Sequence, residues 1–195
     1  MGKGRLEAFS DGVIAIIITI MVLDLKPPRG ADWASLTPQL SDFISYVISF
    51  VYVGIYWNNH HHMFHAAKKV NGAVLWANLH LLFWLSLVPF VTAWAGRTSF
   101  AGGPTAAYAA VLLMAAVAYY ILSRALIRLH GRQSALAVAI GGDFKGLLSV
   151  ALYIAAIALA FFSARLSLCV LLAVALMWLV PDTRIERVLN AAEEA

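Results

Sequence analysis

The sequence predicts an all-α polytopic membrane protein with six transmembrane helices and with both termini in the cytoplasm. Hydrophobic residues make up 62% of the 195 residues and charged residues only 12%. The mean hydropathy of +0.81 lies well outside the range of soluble domains. A hydropathy window of about 19 residues finds six apolar segments. The loops between them are short, so a single six-helix transmembrane domain over residues 1–195 is expected.

Each helix is expected where an apolar run lies between stretches rich in glycine, proline or charge. The predicted ranges are 6–25, 39–63, 73–95, 105–129, 143–163 and 166–181. The breaks that separate them lie at 26–30, 68–72, 96–104, 130–142 and 163–167. The first helix has Thr19 as its only polar residue between Val13 and Leu23. The acidic Glu7 interrupts the opening segment, so it is not expected to be a cleaved secretory signal.

The basic residues predict the orientation of the chain. With the N-terminus in the cytoplasm, ten of the fourteen Lys and Arg residues fall inside, as the positive-inside rule requires: Lys3, Arg5, Lys68, Lys69, Arg124, Arg128, Arg132, Lys145, Arg184 and Arg187. They are spread over loop edges rather than one face, so they are expected to contact membrane lipid, and no nucleic-acid partner is predicted. The single cysteine, Cys169, excludes an intramolecular disulfide and a cysteine metal site.

Phe9, Ile16 and Leu23 recur every seven residues along the first helix, and Thr19 and Ile20 lie close to the same line. On an apolar helix such a stripe most often faces lipid or packs against a neighbour. Asp11 lies about 140 degrees from Ile16 around the helix axis. Its carboxyl group is therefore expected to point toward neighbouring helices when the stripe points elsewhere.

Polar side chains also recur on the second and third helices. The second helix places five on one face: Ser45, Ser49, Tyr52, Tyr56 and His60. The third helix contributes Asn78, Ser86 and Pro89. Such stripes either line a wet cavity or form hydrogen bonds between helices, and the second arrangement is the commoner one.

The end of the second helix carries the densest polar patch: Asn58, Asn59, His60, His61, His62 and His65. His61 and His65 are four residues apart and could share a metal, but the segment holds no acidic residue, so no metal site is predicted. Proton sensing by these histidines stays an open alternative. Ser10, Asp11 and His60 could be drawn as a catalytic triad. No nucleophile motif or phosphate-binding loop accompanies them, and no enzyme is predicted.

Two motifs resemble those of a known family. The spacing R-x-x-x-F-S-D at Arg5, Phe9, Ser10 and Asp11 resembles the signature of the endosomal and lysosomal potassium channels, the transmembrane protein 175 family, and in particular its single-repeat prokaryotic branch. The pattern W-x-x-H-x-x-x-F is similar to the family's motif at the end of the second helix and consists of Trp57, His60 and Phe64. Asn78 and Pro89 are also similar to residues that this family carries on its third helix.

The resemblance implies a homotetrameric, potassium-preferring cation channel in the prokaryotic cell membrane, with K⁺ as the permeant ion and no cofactor. The first helix of each subunit would line a central pore. Carried over to this sequence, the pore constriction consists of Ile16, Thr19, Ile20 and Leu23. A structural network would brace the helix and includes Arg5, Phe9, Ser10, Asp11, Trp57, His60 and Asn78. In that network a buried Asp11 is expected to take Arg5, His60 or a helix-end amide as its partner.

The aliphatic constriction gives these implications a physical basis. Rings of aliphatic side chains can gate by dewetting, and an ion that crosses them must shed or distort its hydration shell. No TVGYG-like segment occurs, so a preference for potassium would rest on its lower cost of dehydration, and modest selectivity is expected.

Two other functions are open to a chain with this composition. A proton- or cation-coupled secondary transporter could use Asp11 and His60 as titrating groups, although no inverted repeat or pair of interrupted helices is evident. A membrane-embedded hydrolase would need Ser10 or the histidines as catalytic groups. It lacks the rest of a site.

Overall fold

Long apolar runs make helices the dominant structure of this chain. The computed structural model describes residues 2–131, 133–134, 137–138 and 144–179. Within these residues the helices are α1 (Lys3–Leu23), α2 (Leu40–His65), α3 (Gly72–Ser86), α4 (Val88–Arg97), α5 (Gly102–His130), α6 (Phe144–Ala160) and α7 (Ala164–Leu179), and a 3-10 helix at Trp33–Gln39 leads into α2. The described part of the chain contains no strand, which confirms the all-α fold class.

Within the described residues, six helical segments correspond to the six predicted crossings. Four are long and apolar enough to span a membrane: Lys3–Leu23, Trp33–His65, Gly72–Arg97 and Gly102–His130. The other two, α6 and α7, are shorter apolar helices of 17 and 16 residues. Residues 143, 180 and 181, at the predicted ends of the last two helices, lie outside the described residues.

The third segment is not the continuous helix that hydropathy predicts over 73–95. It divides at Leu87, because α3 ends at Ser86 and α4 begins at Val88 with Pro89 in its first turn. Proline has no backbone N–H, so Pro89 cannot donate to the carbonyl of Leu85 four residues earlier, and its ring clashes with that carbonyl in a regular helix. The prediction of one unbroken helix was therefore wrong at this position.

The helices pack so that α1 is covered on one side. It contacts α2, α3 and α4, while α2 also lies along α4, and α5 packs between α3 and α6, with α7 against α6. Five residues of α1 are buried in this arrangement: Leu6, Ser10, Ile14, Ile17 and Met21. Because no described element covers the opposite side of α1, that side is left exposed.

Two backbone features fix the ends of α5. Gly102 lies so close to α6 that a Cβ built on it would be 2.6 Å from the carbonyl oxygen of Ala160. Gly131 follows the last residue of the helix with φ of 90°, in the region that favours glycine. The position and length of α5 therefore depend on these two glycines.

Candidate functional site

The aliphatic stripe of α1 is exposed in the subunit. The exposed fractions are 58% for Ile16, 48% for Ile20 and 81% for Leu23, and Thr19 and Phe9 are also exposed. Thr19 donates its hydroxyl proton to the carbonyl oxygen of Ile16 at 2.9 Å. The hydroxyl oxygen therefore keeps its lone pairs free for a ligand on the exposed side. We call Phe9, Ile16, Thr19, Ile20 and Leu23 the exposed stripe.

A buried chain of hydrogen bonds holds the other face of α1 near its N-terminal end. Ser10 donates to the carbonyl oxygen of Leu6 at 2.9 Å, and the Asn78 amide nitrogen donates to the Ser10 hydroxyl oxygen at 2.9 Å. The Asn78 amide oxygen lies 2.8 Å from His60 Nε2. Ser10 is 0%, Asn78 0% and His60 2% exposed. We call these three side chains the Asn78 network.

The Asn78 network determines which ring nitrogen of His60 carries a proton. Ser10 uses its only hydroxyl proton on Leu6, so it can only accept from Asn78. The amide of Asn78 must therefore turn its NH₂ group to Ser10 and its oxygen to His60. That oxygen needs a donor, so His60 carries a hydrogen on Nε2.

Asp11 belongs to a separate contact. Its carboxylate accepts a hydrogen bond from the Trp57 indole nitrogen at 3.0 Å, and both side chains are exposed. The expectation of a buried Asp11 paired with Arg5 or His60 was wrong. Asp11 lies about 100 degrees from Ser10 around the helix, and in this packing Ser10 is buried while Asp11 is exposed. Arg5 is exposed and has no hydrogen bond or ion pair within the described residues.

A second buried chain of hydrogen bonds lies behind the C-terminal half of α1. Thr92 Oγ1 is 2.6 Å from the Val88 carbonyl oxygen and 2.6 Å from Ser49 Oγ, which is 2.8 Å from the Tyr108 hydroxyl. Because Thr92 donates to the carbonyl, Ser49 donates to Thr92 and Tyr108 donates to Ser49. The Thr92 oxygen also lies 3.8 Å from the sulfur of Met21 on α1. Ser49, Thr92 and Tyr108 form what we call the Thr92 network.

The sequence indicated only part of this second arrangement. Ser49 belongs to the polar face of α2, but Thr92 and Tyr108 lie 43 and 59 residues further along the chain. No local pattern joins residues on three helices, so helix packing alone brings them together. The same holds for Asp24 and Arg97, 73 residues apart, whose side chains form an ion pair just beyond the C-terminal end of α1.

The polar face of α2 points into the subunit. All five of its predicted residues are buried, with Tyr52 donating to the carbonyl of Leu171 and Tyr56 to that of Leu112. The two tyrosine bonds are hydrogen bonds between helices, the commoner of the two expected arrangements. Ser86 of α3 is exposed instead and donates to the Phe83 carbonyl at 2.7 Å.

The histidine patch forms stacked rings at the end of α2. His61 stacks on Trp57 with ring centroids 5.9 Å apart and on His65 with centroids 6.2 Å apart. In the part of the chain that the structure describes, no three His, Cys, Asp or Glu residues are placed to hold a metal ion. Ser10, Asp11 and His60 do not form a catalytic triad, because His60 contacts Asn78 and Asp11 contacts Trp57.

Comparison with known proteins identifies the family. The model of a family described as endosomal/lysosomal potassium channel TMEM175 matches residues 5–89, which contain both motifs. A protein from Chryseobacterium sp. (strain P1-3) that is named a potassium channel is 57% identical over 190 residues, which cover 97% of this chain and 99% of that protein. This chain belongs to the TMEM175 family.

Other TMEM175 relatives agree with the fold and with the first half of the chain. The crystal structure of a lysosomal potassium-selective channel TMEM175 homolog from Chamaesiphon minutus matches with a TM-score of 0.79 and 29% identity, over 92% of this chain and 97% of that one. The human protein named endosomal/lysosomal proton channel TMEM175 is 35% identical over 96 residues, 43% of this chain and 19% of the human protein. The region shared with the human protein is thus less than half of this chain.

Proposed function

We propose that this protein is a potassium-preferring cation channel whose central pore is lined by α1 of several subunits. The observation that carries the proposal is the exposed stripe. Ile16, Ile20 and Leu23 are large aliphatic side chains that their own subunit leaves 48% to 81% exposed, on the helix that carries the family motif. The name of the Chryseobacterium relative and the description of the Chamaesiphon structure both support potassium as the permeant ion.

The chemistry of the exposed stripe fits a permeation path. Ile16 and Leu23 are seven residues apart, so they form two apolar levels about 10 Å apart along the helix axis. Thr19 lies between them and offers its hydroxyl oxygen, because its proton is bonded to the Ile16 carbonyl. A partly dehydrated cation would meet this oxygen between two constrictions that favour dewetting. Potassium is the more weakly hydrated ion, so it would cross at lower cost than sodium.

The same geometry supports an assembly of several subunits. One copy of α1 cannot enclose a pathway, because its exposed stripe is open to the outside of the subunit. Symmetric assembly around an axis next to α1 would cover the stripe and create the pore. We propose a homotetramer, in line with the family resemblance.

The remaining features of the proposal concern location and chemistry. We place the channel in the prokaryotic cell membrane, in contact with lipid, with both termini in the cytoplasm and with the basic loop edges on that side. We propose no enzymatic activity and no cofactor, since permeation by this mechanism needs only the helices and the ion.

A coupled transporter is less well supported by the contacts. That mechanism requires Asp11 and His60 to exchange a proton or to hold one ion together. Asp11 is bonded to Trp57 on the surface, whereas His60 is bonded to Asn78 in the interior. The two titrating groups are therefore in different environments with different partners.

Flux through liposomes tests the proposal. Purified protein is reconstituted, and passive potassium, sodium and proton fluxes are measured for wild type, Ile16→Asn and Val22→Asn. Val22 is a matched control, because it is 44% exposed on the same helix but lies about 120 degrees from Ile16. We expect passive flux that favours potassium and that rises in Ile16→Asn alone, since asparagine would hydrate the constriction.

The other outcomes contradict the proposal in different ways. Absence of passive flux in every protein would overturn the channel. Equal changes in Ile16→Asn and Val22→Asn would remove Ile16 from the pore. A larger flux of protons than of potassium at equal driving force would replace potassium as the main permeant ion.

A further inference from the structure

An ion pair lies directly beyond the last residue of the exposed stripe. Asp24 follows Leu23 and forms the C-terminal cap of α1, and its carboxylate accepts a hydrogen bond from the Arg97 guanidinium at 2.5 Å. Arg97 is the last residue of α4. The two side chains are 41% and 53% exposed, respectively. The pair therefore joins the C-terminal ends of two helices on the exposed surface of the subunit.

Stability does not explain the pair. Exposed ion pairs contribute about 0–1 kcal/mol to folding and less at high salt, because water screens both charges. The same end of α1 is already held by the contact of Met21 with the Thr92 network. Each charge of the pair also contributes to the electrostatic potential around Leu23, and the two contributions oppose each other.

The position of Asp24 makes that potential relevant to permeation. Adjacent Cα atoms are about 3.8 Å apart, so the carboxylate lies well within one Debye length, about 8 Å at physiological salt, of the Leu23 level. Asp24 also lies about 40 degrees from Ile20 around the helix axis, at the edge of the exposed stripe. An assembly around α1 would bring one such carboxylate from every subunit to the same end of the pore.

The charges nearby leave Arg97 as the direct counter-charge of Asp24. Asp42 lines the same small cavity as Asp24, and its buried Oδ1 has no hydrogen-bond partner among the described residues. Lys26, Arg29 and Asp32 are exposed in the loop that follows α1, without an ion pair in the described part of the chain. Loss of the guanidinium would thus leave the Asp24 carboxylates without their ion-pair partner beside Leu23.

We propose that Arg97 sets how strongly the Asp24 carboxylates attract cations to the Leu23 end of the pore. This inference rests on the proposed function, because it requires α1 to line the pathway. When Arg97 pairs with Asp24, the carboxylates raise the local cation concentration only weakly. Without Arg97, they raise the cation concentration at the Leu23 end of the pore, and cations enter from that end faster.

Single-channel recording in planar bilayers tests the inference at 0.1 M and 1 M KCl. Arg97→Gln is expected to raise the potassium current that enters from the Leu23 end by roughly two- to fourfold at 0.1 M, and Asp24→Asn to lower it by a similar factor. Both changes produce rectification, since only one mouth is altered, and both shrink at 1 M. The double variant returns close to the wild-type current.

Two controls separate charge from structure. Asp32→Asn removes the same charge from an exposed residue of the following loop, eight residues beyond Asp24 and outside α1. It is expected to leave the current within about 1.5-fold of wild type, because salt screens an exposed charge that does not belong to the pore-lining helix. Size-exclusion chromatography and thermal melting of each variant check that assembly is unchanged. If the Asp24–Arg97 pair only held the two helices together, Asp24→Asn, Arg97→Gln and the double variant would all melt at a lower temperature. Their currents would then change by the same factor at 0.1 M and 1 M KCl.

The outcomes distinguish this inference from the function on which it rests. Currents that are unchanged in both single variants, or that move in the same direction, would overturn the role of Arg97. If Ile16→Asn still alters conductance in that case, the channel itself stands. If wild type and Ile16→Asn pass no current at all, the proposed function fails and the inference fails with it.

Discussion

Asn78 donates a hydrogen bond to the Ser10 hydroxyl oxygen across 2.9 Å, in a place where neither side chain is exposed. This bond joins α3 to the covered face of α1. The amide oxygen of Asn78 accepts from His60 on α2 at the same time. One side chain therefore connects the three helices that surround the family motif.

We expect Asn78→Leu to destabilise the subunit by about 1–3 kcal/mol, because it removes two interhelical hydrogen bonds and leaves the His60 N–H without an acceptor. Asn78→Asp should be at least as harmful, since a carboxylate can accept from His60 but cannot donate to Ser10. Thermal melting in detergent measures both. A melting temperature equal to that of wild type in either variant would contradict the assignment of donors in the Asn78 network.

Asp11 should act through its hydrogen bond rather than through its charge. Asp11→Asn keeps a side-chain oxygen for the Trp57 indole, whereas Asp11→Ala does not. We expect melting close to wild type for the asparagine variant and a loss of about 0.5–1.5 kcal/mol for the alanine variant, the usual value of one hydrogen bond. Trp57→Phe should match Asp11→Ala. Equal losses in Asp11→Asn and Asp11→Ala would instead show that the charge is what matters.

The order of donors in the Thr92 network predicts an asymmetry between two isosteric variants. Tyr108→Phe removes the first donor, and every remaining hydroxyl proton of the network keeps its acceptor. We therefore expect the free energy of unfolding to fall by about 1 kcal/mol. Thr92→Val removes the acceptor of Ser49 and leaves one buried O–H unpaired, which costs about 1–3 kcal/mol. The comparison uses melting curves of the two variants. A larger loss in Tyr108→Phe would reverse the order of donors.

Adjacent glycines at the start of α5 give a test of helix packing. A Cβ on Gly102 would lie 2.6 Å from the Ala160 carbonyl oxygen, whereas one on Gly103 would meet no atom within 4 Å. Gly102→Ala must push α5 away from α6 and should cost about 1–3 kcal/mol. Gly103→Ala should be neutral or slightly stabilising, because alanine favours the helix. Similar melting of the two variants would contradict the close approach of α5 and α6.

The sequence predicted the number of helical segments and the common face of Ile16, Ile20 and Leu23, because both depend on hydropathy and on helical periodicity. It did not predict the break at Leu87. A hydropathy window scores only the polarity of side chains, so it does not detect the backbone hydrogen bond that Pro89 cannot form.

Side-chain contacts between helices were harder to predict than the helices themselves. Trp57 and Asp11 both belong to recognisable motifs, yet their contact on the surface follows only from the packing of α2 on α1. The Thr92 network and the pair of Asp24 with Arg97 carry no local signal at all. Their residues come from separate helices, so their meeting depends on rotations and translations that a single sequence does not specify.

The exposed stripe has a consequence for how this channel can diverge. Ile16, Ile20 and Leu23 lie opposite the covered face of α1, so substitutions there remove little packing within the subunit and are expected to cost it little stability. Under the proposed function the same positions set the width and wetting of the pore. Mutation can thus explore new ion preferences without first unfolding the protein, while Ser10, Ile14 and Ile17 on the covered face remain under selection for folding.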